Sequence, residues 1–461
     1  IRIYNTTGSA RQEEVELVLP EDCQGIMVQV VDAKGQPVPQ QISACDSGKL
    51  KLIFEASVPA MGYTTYLLKQ GKQEEPRSKN ATRSSKKLSI ETGYYQAIFD
   101  PARGGTISSL IDKKNGNKQL VEKRKYLNDL RGFFYQENRF LEGSENRATV
   151  SVIEEGELYI RVKVDNKIAG HPYYQLITFY KNNPRIDFSL HIDWDGQPRI
   201  GAYDQSNHYE ATNRDKAFYN DEYKLHVRFP LDNIGRKIYK NAPFDVTESR
   251  IDNTLYSSWG HIKHNVILNW VDITGSEKEY GVALFSDHTT SYLQSDSLPL
   301  GLTVQYTGKA LWGRDYRVHG PTEIRYALLP HSGDWERGEV EKASTRWNEP
   351  MVAQFTSCSS ESPTTSILEV IGDNLEVTSM VIEDDNLLVR IYNTSSRAIS
   401  RDVVWNCNMD KIEQVDLKGD AMRELLPVTK EDGRLITTVS VPQFGFVTFR
   451  VIAPQIKRMI K

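Results

Sequence analysis

From Leu88 to Phe355 the sequence carries one strand-like run after another, and this succession constrains the fold more than any other feature. In HGPTEIRYALLPHSGDW, His319 to Trp335, Ile324, Tyr326 and Leu328 alternate with Glu323, Arg325 and Ala327. A period of two is the mark of a strand with one buried face. Pro330 is expected to end this strand because proline donates nothing to a sheet ladder, and Ser332-Gly333-Asp334 supplies the turn. No strand–helix–strand alternation and no glycine-rich phosphate loop interrupts the pattern. The expectation is an all-β chain built on antiparallel sheets.

The runs divide into three β regions. Residues 1–70 contain VELVLP, IMVQVVD, KLKLIFEA and YTTYLLK, too few strands for a complete sandwich, as though strands were lost or shared. Residues 71–87 are polar and read as a linker or long loop. Residues 88–355 read as one large antiparallel sandwich, with Gly104-Gly105 and Asn115-Gly116 as turn dipeptides. One helix is expected from Trp335 to Trp347, capped by Asp334. Residues 356–366, TSCSSESPTTS, read as a second linker, and residues 367–461 as a C-terminal β-sandwich.

Composition closes several routes. The 57 basic and 61 acidic residues are intermixed, so no basic stripe marks a nucleic-acid surface. No run of about 18 apolar residues is present to span a membrane. The chain opens on IRIYN, without a signal-peptide pattern and inside an apparent strand, which suggests a piece of something longer. Cys23, Cys45, Cys358 and Cys407 lack CxxC spacing; Cys23 and Cys45 are placed to pair across a hairpin, and free thiols are the other reading. Sequons occur at Asn5, Asn80 and Asn393. His208, His261, His264 and His319 do not repeat at metal-ligand spacing.

Motif order suggests a family. ETGYYQAIFDPARGGTISSLIDKKNG, APFDVTESR, NWVDIT, YGVALFSD, YALLPHSGDW and LLVRIYN, with IRIYNTTGSARQEEVELVLP and AMGYTTYLL before them, resemble in sequence the C-terminal β portion of bacterial glycoside hydrolase family 38 α-mannosidases. Asp245 stands where the family usually has Gly, and Asn269 where it often has Arg before the Trp. The resemblance implies a large galactose mutarotase-like antiparallel β-supersandwich flanked by smaller N- and C-terminal β-domains. It implies α-mannoside carbohydrate as substrate, and as partner the N-terminal catalytic domain of the same enzyme. That missing domain is expected to hold the zinc and the acid pair of a retaining glycosidase; no catalytic residue and no cofactor are assigned to this chain. Nucleic acid and membrane are not expected partners. Oligomeric state and compartment are left open.

For substrate contact the resemblance singles out Arg250, whose guanidinium can fork two hydrogen bonds to neighbouring hydroxyls, and Tyr135, whose phenol can donate to a sugar oxygen. Both have a plain alternative, a surface arginine and a packed aromatic. Trp270 and Asp272 are a candidate stacking platform and hydroxyl acceptor, or a core indole and a strand-end residue. His331, with Trp335 nearby, is either sugar-facing or part of a pair closing the sandwich. Two other functions remain open at this level: a free-standing carbohydrate-binding module, and a mutarotase-like epimerase using His208 or His331 with Glu210 or Asp334.

Overall fold

A computed structural model describes residues 1–24, 26–44, 48–71, 82–84, 86–201, 221–232, 237–249, 265–275, 279–294, 298–309, 315–356, 363–383, 386–422, 426–431 and 433–452. They form two compact units, Ile1–Pro76 with Glu341–Lys461, and Arg77–Val340.

In the Arg77–Val340 unit the expected alternation becomes a ten-stranded antiparallel sheet. Its strand order is Asp245–Ser249, Lys237–Ala242, Trp270–Thr274, Tyr280–Ser286, Thr322–Ser332, Ile186–Ile192, His171–Tyr180, Tyr159–Ile168, Thr149–Glu155 and Thr82–Ser84. Thr322–Ser332 lies between Tyr280–Ser286 and Ile186–Ile192. Ile324, Tyr326 and Leu328 point into the core while Glu323 and Arg325 face water. The strand does not stop at Pro330 as expected. Its pairing with Ile186–Ile192 ends at Leu328, so Pro330 has only one neighbouring strand, where a missing N–H is tolerated.

A six-stranded sheet runs Arg139–Glu142, Asp129–Phe134, Leu225–Phe229, Leu300–Gln305, Thr290–Leu293 and Val266–Ile267. A four-stranded sheet contains Leu88–Glu91, Tyr95–Asp100, Thr106–Asp112 and Lys118–Gln119, and the Asn115-Gly116 turn joins its last pair. Side chains of all three sheets meet in one buried cluster, including Phe99, Phe134, Phe179, Phe188, Phe229 and Tyr326. This is the large all-β supersandwich.

The other unit contains two smaller β regions with separate cores, one around Ile3, Phe54 and Tyr66 and one around Val389, Trp405 and Phe449. The first is incomplete by itself, as its strand count implied. Its Arg2–Asn5 and Gly62–Thr65 strands are flanked by Val352–Gln354 and Thr364–Ser366, contributed from far along the chain. Residues 341–354, read from sequence as the end of the large sandwich, therefore cluster with the first region instead. Parts of both expected linkers are strands: Thr82–Ser84 and Thr364–Ser366. A polar segment needs no buried face of its own when it adds to an existing sheet edge by main-chain hydrogen bonds. Most of the remaining linker residues lie outside the described set, as do Cys45 and Cys358; Cys23 and Cys407 are free thiols.

The helix spans Val340–Asn348, starting later than expected. Asp334 does cap a turn, its Oδ1 accepting from Arg337 N at 3.1 Å, but Glu339 sits at φ 50°, which breaks helical continuity before Val340. Arg11 anchors the helix C-terminus. Its buried guanidinium donates to Arg346 O (2.8 Å) and Glu349 O (2.7 Å) and forks onto Glu13. Cations at this end complement the helix dipole. Arg11→Ala leaves Glu13 only the longer Arg346 contact at 4.0 Å and leaves two carbonyls without their donor, and is expected to destabilise the protein by about 3 kcal/mol in urea unfolding, from loss of a buried charge partner. A change below 1 kcal/mol would show that the anchor does not contribute.

Candidate functional site

Two polar constellations in the Arg77–Val340 unit bear on function. The first lies on the side of the ten-stranded sheet opposite the main core. Val271 and Ile273 point into that core, so Trp270, Asp272 and Thr274 point the other way. The segment after Ser332 folds back over this face. Trp335 stacks on Trp270, with centroids 6.0 Å apart and ring planes at 29°, and also meets Tyr239. Asp272, with no exposure, takes a hydrogen bond from His331 Nε2 at 2.8 Å and another from the Thr274 hydroxyl at 2.5 Å. A carboxylate only accepts, so the imidazole proton sits on Nε2. Two glycines hold the ring from either side: a Cβ on Gly281 or Gly338 would collide with it.

His331 and Asp272, chosen separately from the sequence, are thus brought together. Asp334 is not the partner of His331; its carboxylate caps the turn instead, which corrects the pairing considered for an epimerase. Trp270 has no exposed face on which a sugar could stack. The arrangement is that of a clasp closing the sheet. Arg250, His208, Glu210, His261 and His264 lie outside the described residues.

The second constellation was not singled out from the sequence. In Asp129–Phe134, Leu130 and Phe134 enter the core, so Asp129, Arg131 and Phe133 occupy the opposite face of the six-stranded sheet. Register places Arg131 opposite both Glu142 and His226, Asp129 opposite Arg228, and Phe133 opposite Phe140. Glu142 Oε1 lies 3.4 Å from Arg131 Nε and 3.0 Å from Arg228 Nη2, and Glu222 lies 3.5 Å from Arg131 Nη2. Phe133, Phe140 and Tyr223 form an aromatic trio with centroid spacings of 4.6 to 5.2 Å, and the Arg131 guanidinium lies 3.8 Å over the Phe140 ring. The alternation in DLRGFF was the signal that could have revealed this face.

Burial dominates the electrostatics here. Asp129 accepts from the Ser144 hydroxyl (2.6 Å) and Ser144 N (3.0 Å). Desolvation nevertheless raises its pKa to about 7, against the lowering effects of Ser144 and Arg228. Burial pushes His226 down to about 3, helped by Lys224, Arg131 and Arg228, and its Nε2 has no hydrogen-bond partner among the described residues. Arg131 is lowered by burial and by Arg228, and Tyr173, fully enclosed beside Asn166, is raised.

Tyr135 begins the turn that joins the Asp129–Phe134 and Arg139–Glu142 strands, and its N–H donates to Arg199 O at 3.1 Å. It is half-buried, and its hydroxyl has no hydrogen bond among the described residues. Of the singled-out residues that are described, it is the one that directly follows the Asp129–Phe134 strand carrying that face. The two departures from the family pattern are also placed. Asp245 is exposed at the start of an edge strand, after Phe244 at φ 57°. Asn269 accepts from Asn241, whose Oδ1 in turn takes the N–H groups of Leu268, Asn269 and Trp270. Among the described residues no three His, Cys, Asp or Glu side chains converge as metal ligands.

Residues 90–302 match the family model described as the glycosyl hydrolases family 38 C-terminal domain. A segment is 32% identical over 129 residues to human lysosomal alpha-mannosidase, covering 26% of this chain and 12% of that protein. The fold matches an alpha-mannosidase from Enterococcus faecalis V583 with a TM-score of 0.69 at 13% identity, over 97% of this chain and 55% of that one. It also matches a glycosyl hydrolase family 38 protein from Enterococcus faecalis with a TM-score of 0.67 at 13% identity, over 97% and 57% respectively. Residues 90–302 of the chain thus match the C-terminal domain of glycosyl hydrolases family 38, and the fold of nearly the whole chain is shared with the two matched structures. The chain spans little more than half of the matched structures and about an eighth of the human enzyme.

Proposed function

We propose that this chain is the non-catalytic β portion of a retaining, zinc-dependent α-mannosidase, a frame that carries the catalytic domain and forms part of the sugar-pocket wall. The observation carrying this reading is the family match over residues 90–302, within a fold that covers about half of a related enzyme. In this reading zinc and the reacting acids belong to the catalytic domain, and the residues here act by position and charge. Tyr135 is kept as a sugar contact on the strength of the resemblance, and Arg131 and Arg228, each held by Glu142, are fixed charges on the six-stranded sheet. Arg250 is kept as a second sugar contact on the strength of the resemblance. Trp270, Asp272 and His331 act indirectly, by closing the sheet.

The test is an assay of the isolated chain on an aryl α-mannoside, beside the intact enzyme. The expected result is no turnover above buffer for the chain and zinc-dependent turnover for the enzyme. In the intact enzyme, Tyr135→Phe is expected to lower kcat/KM about tenfold, the value of one hydrogen bond to substrate. Turnover by the isolated chain would refute the division of labour. Tight binding of mannose oligomers by the isolated chain, without any effect of Tyr135→Phe in the enzyme, would favour a free-standing carbohydrate-binding protein.

A further inference from the structure

We infer that residues 1–70 and 386–452 are two copies of one β module, and that the asparagine heading each copy, Asn5 and Asn393, is an internal clamp rather than a glycan acceptor. The copies share two sequence blocks. Arg2-Ile3-Tyr4-Asn5-Thr6 repeats as Arg390-Ile391-Tyr392-Asn393-Thr394, and Ser57-Val58-Pro59, with Gly62 and Thr65 after it, repeats as Ser440-Val441-Pro442, with Gly445 and Thr448.

The pairing of the blocks is the same in both. Arg2, Ile3 and Tyr4 oppose Thr65, Thr64 and Tyr63, as Arg390, Ile391 and Tyr392 oppose Thr448, Val447 and Phe446. Arg11 opposes Val58 as Ile399 opposes Val441, six residues after the asparagine in each copy. The outward arginine covers the equivalent ring, Arg2 at 4.4 Å over Tyr63 and Arg390 at 5.6 Å over Phe446. Met61 and Phe444 occupy the same left-handed position, at φ 39° and 46°. Such agreement in register, turn conformation and loop contacts exceeds what a shared sandwich architecture requires.

The clamp is the most detailed point of identity. Asn5 Nδ2 donates to Ser9 O (2.9 Å), Pro59 O (2.9 Å) and Val58 O (3.4 Å), and its Oδ1 accepts from Thr7 N (3.0 Å). Asn393 Nδ2 donates to Arg397 O (2.7 Å), Pro442 O (2.9 Å) and Val441 O (3.2 Å), and its Oδ1 accepts from Ser395 N (2.9 Å). Thr7 O and Ser395 O then take the N–H of Met61 and of Phe444. Both asparagines are buried, at 2% and 0% exposure. An N-linked sugar would replace an amide hydrogen that these carbonyls need, in a space with no room for it. The sequons are therefore by-products of a loop motif, Asn-x-Thr or Asn-x-Ser, whose amide and backbone tie two strands together.

The copies differ at their sheet edges. The second is flanked by Leu375–Glu383 and Lys411–Val415, the first by the Val352–Gln354 and Thr364–Ser366 strands. The first copy keeps a counterpart of Lys411–Val415 in Val28–Val31, which pairs with Leu67–Gln70, while the edges of its Arg2–Asn5 and Gly62–Thr65 pair are completed by strand addition from the segment leading to the second copy.

Hydrogen exchange of the full chain tests the equivalence. Asn5→Asp sets a carboxylate against three carbonyls and should speed exchange at least tenfold in Arg2–Asn5, Arg11–Val18, Leu50–Val58 and Gly62–Thr65, leaving the second copy unchanged. Asn393→Asp should do the same in Asn386–Asn393, Ile399–Trp405, Arg434–Val441 and Phe446–Ile452 only. Should either fail to fold, Asn5→Ser and Asn393→Ser remove the clamp without adding charge and are read the same way. An effect at one asparagine and none at the other overturns the inference. So does a glycan on Asn5 or Asn393, found by peptide mass spectrometry in folded full-length protein from a glycosylating host; both peptides are expected unmodified.

Discussion

Asp129→Asn should stabilise the protein at pH 8 and leave it nearly unchanged at pH 4. The Asp129 carboxyl has its pKa raised from 3.8 to about 7, so the folded state holds a proton that the unfolded chain gives up. The stability this confers is complete below about pH 3.8 and is lost as pH rises through 7. Asparagine keeps the shape, accepts from Ser144 N and donates to the Ser144 hydroxyl, but never ionises. The variant's advantage should grow from near zero at pH 4 to about 4 kcal/mol at pH 8, the value of the shift at 1.4 kcal/mol per pH unit. Comparison with the parent is essential because His226 opposes the trend. Its pKa is lowered to about 3, so its contribution is present above the ordinary 6.5 and lost as pH falls toward 3. Between pH 4 and 6.5 the two slopes nearly cancel in the parent protein. A stability difference that stays constant from pH 4 to 8 in urea titrations would mean that Asp129 is not held protonated.

Asp272→Ala should cost about 4 kcal/mol, the range for removing one partner of a buried pair. The His331 N–H and the Thr274 hydroxyl would both lose their acceptor in a space closed by Trp335, and Gly281 and Gly338 leave the imidazole no room to turn toward another. Asp272→Asn keeps an acceptor oxygen for His331 and should cost only about 1.5 kcal/mol. The ordering of the two variants in thermal and urea unfolding carries the test. If both match the parent within 1 kcal/mol, the clasp is ornamental and His331 needs another explanation.

Much of the fold was legible in the sequence because strands repeat locally. The alternation of Ile324, Tyr326 and Leu328 gave a buried face, and the shortage of strands in residues 1–70 gave an incomplete region. Pro330 was misread because its tolerance depends on which neighbour the strand has at that point, and neighbours come from elsewhere in the chain. Helix onset was misplaced for a related reason: the cap at Asp334 is real, but Glu339 turns the backbone before the helix begins. The RIYNT repeat stood in the sequence, yet its meaning rests on matched registers and amide contacts between distant strands.

The candidate site shows the same division. Local chemistry marked His331 and Asp272 individually, and the family resemblance marked Tyr135. That His331 binds Asp272 rather than Asp334, and that Trp335 covers Trp270, follows from a backbone that folds over the reverse of the sheet. Arg131, Phe133 and Asp129 look like ordinary outward residues of one strand until Glu142, His226 and Arg228 arrive from its neighbours.

By itself the amino-acid order determined an antiparallel all-β chain, its turn positions and its family resemblance, since these depend on periodicity and short motifs read within one segment. Tertiary structure alone decided which polar groups are enclosed, which are paired, and which strands complete the first small module. Burial and pairing are properties of contacts between segments tens to hundreds of residues apart, and the energies that shift Asp129 and His226 exist only once those contacts exclude water.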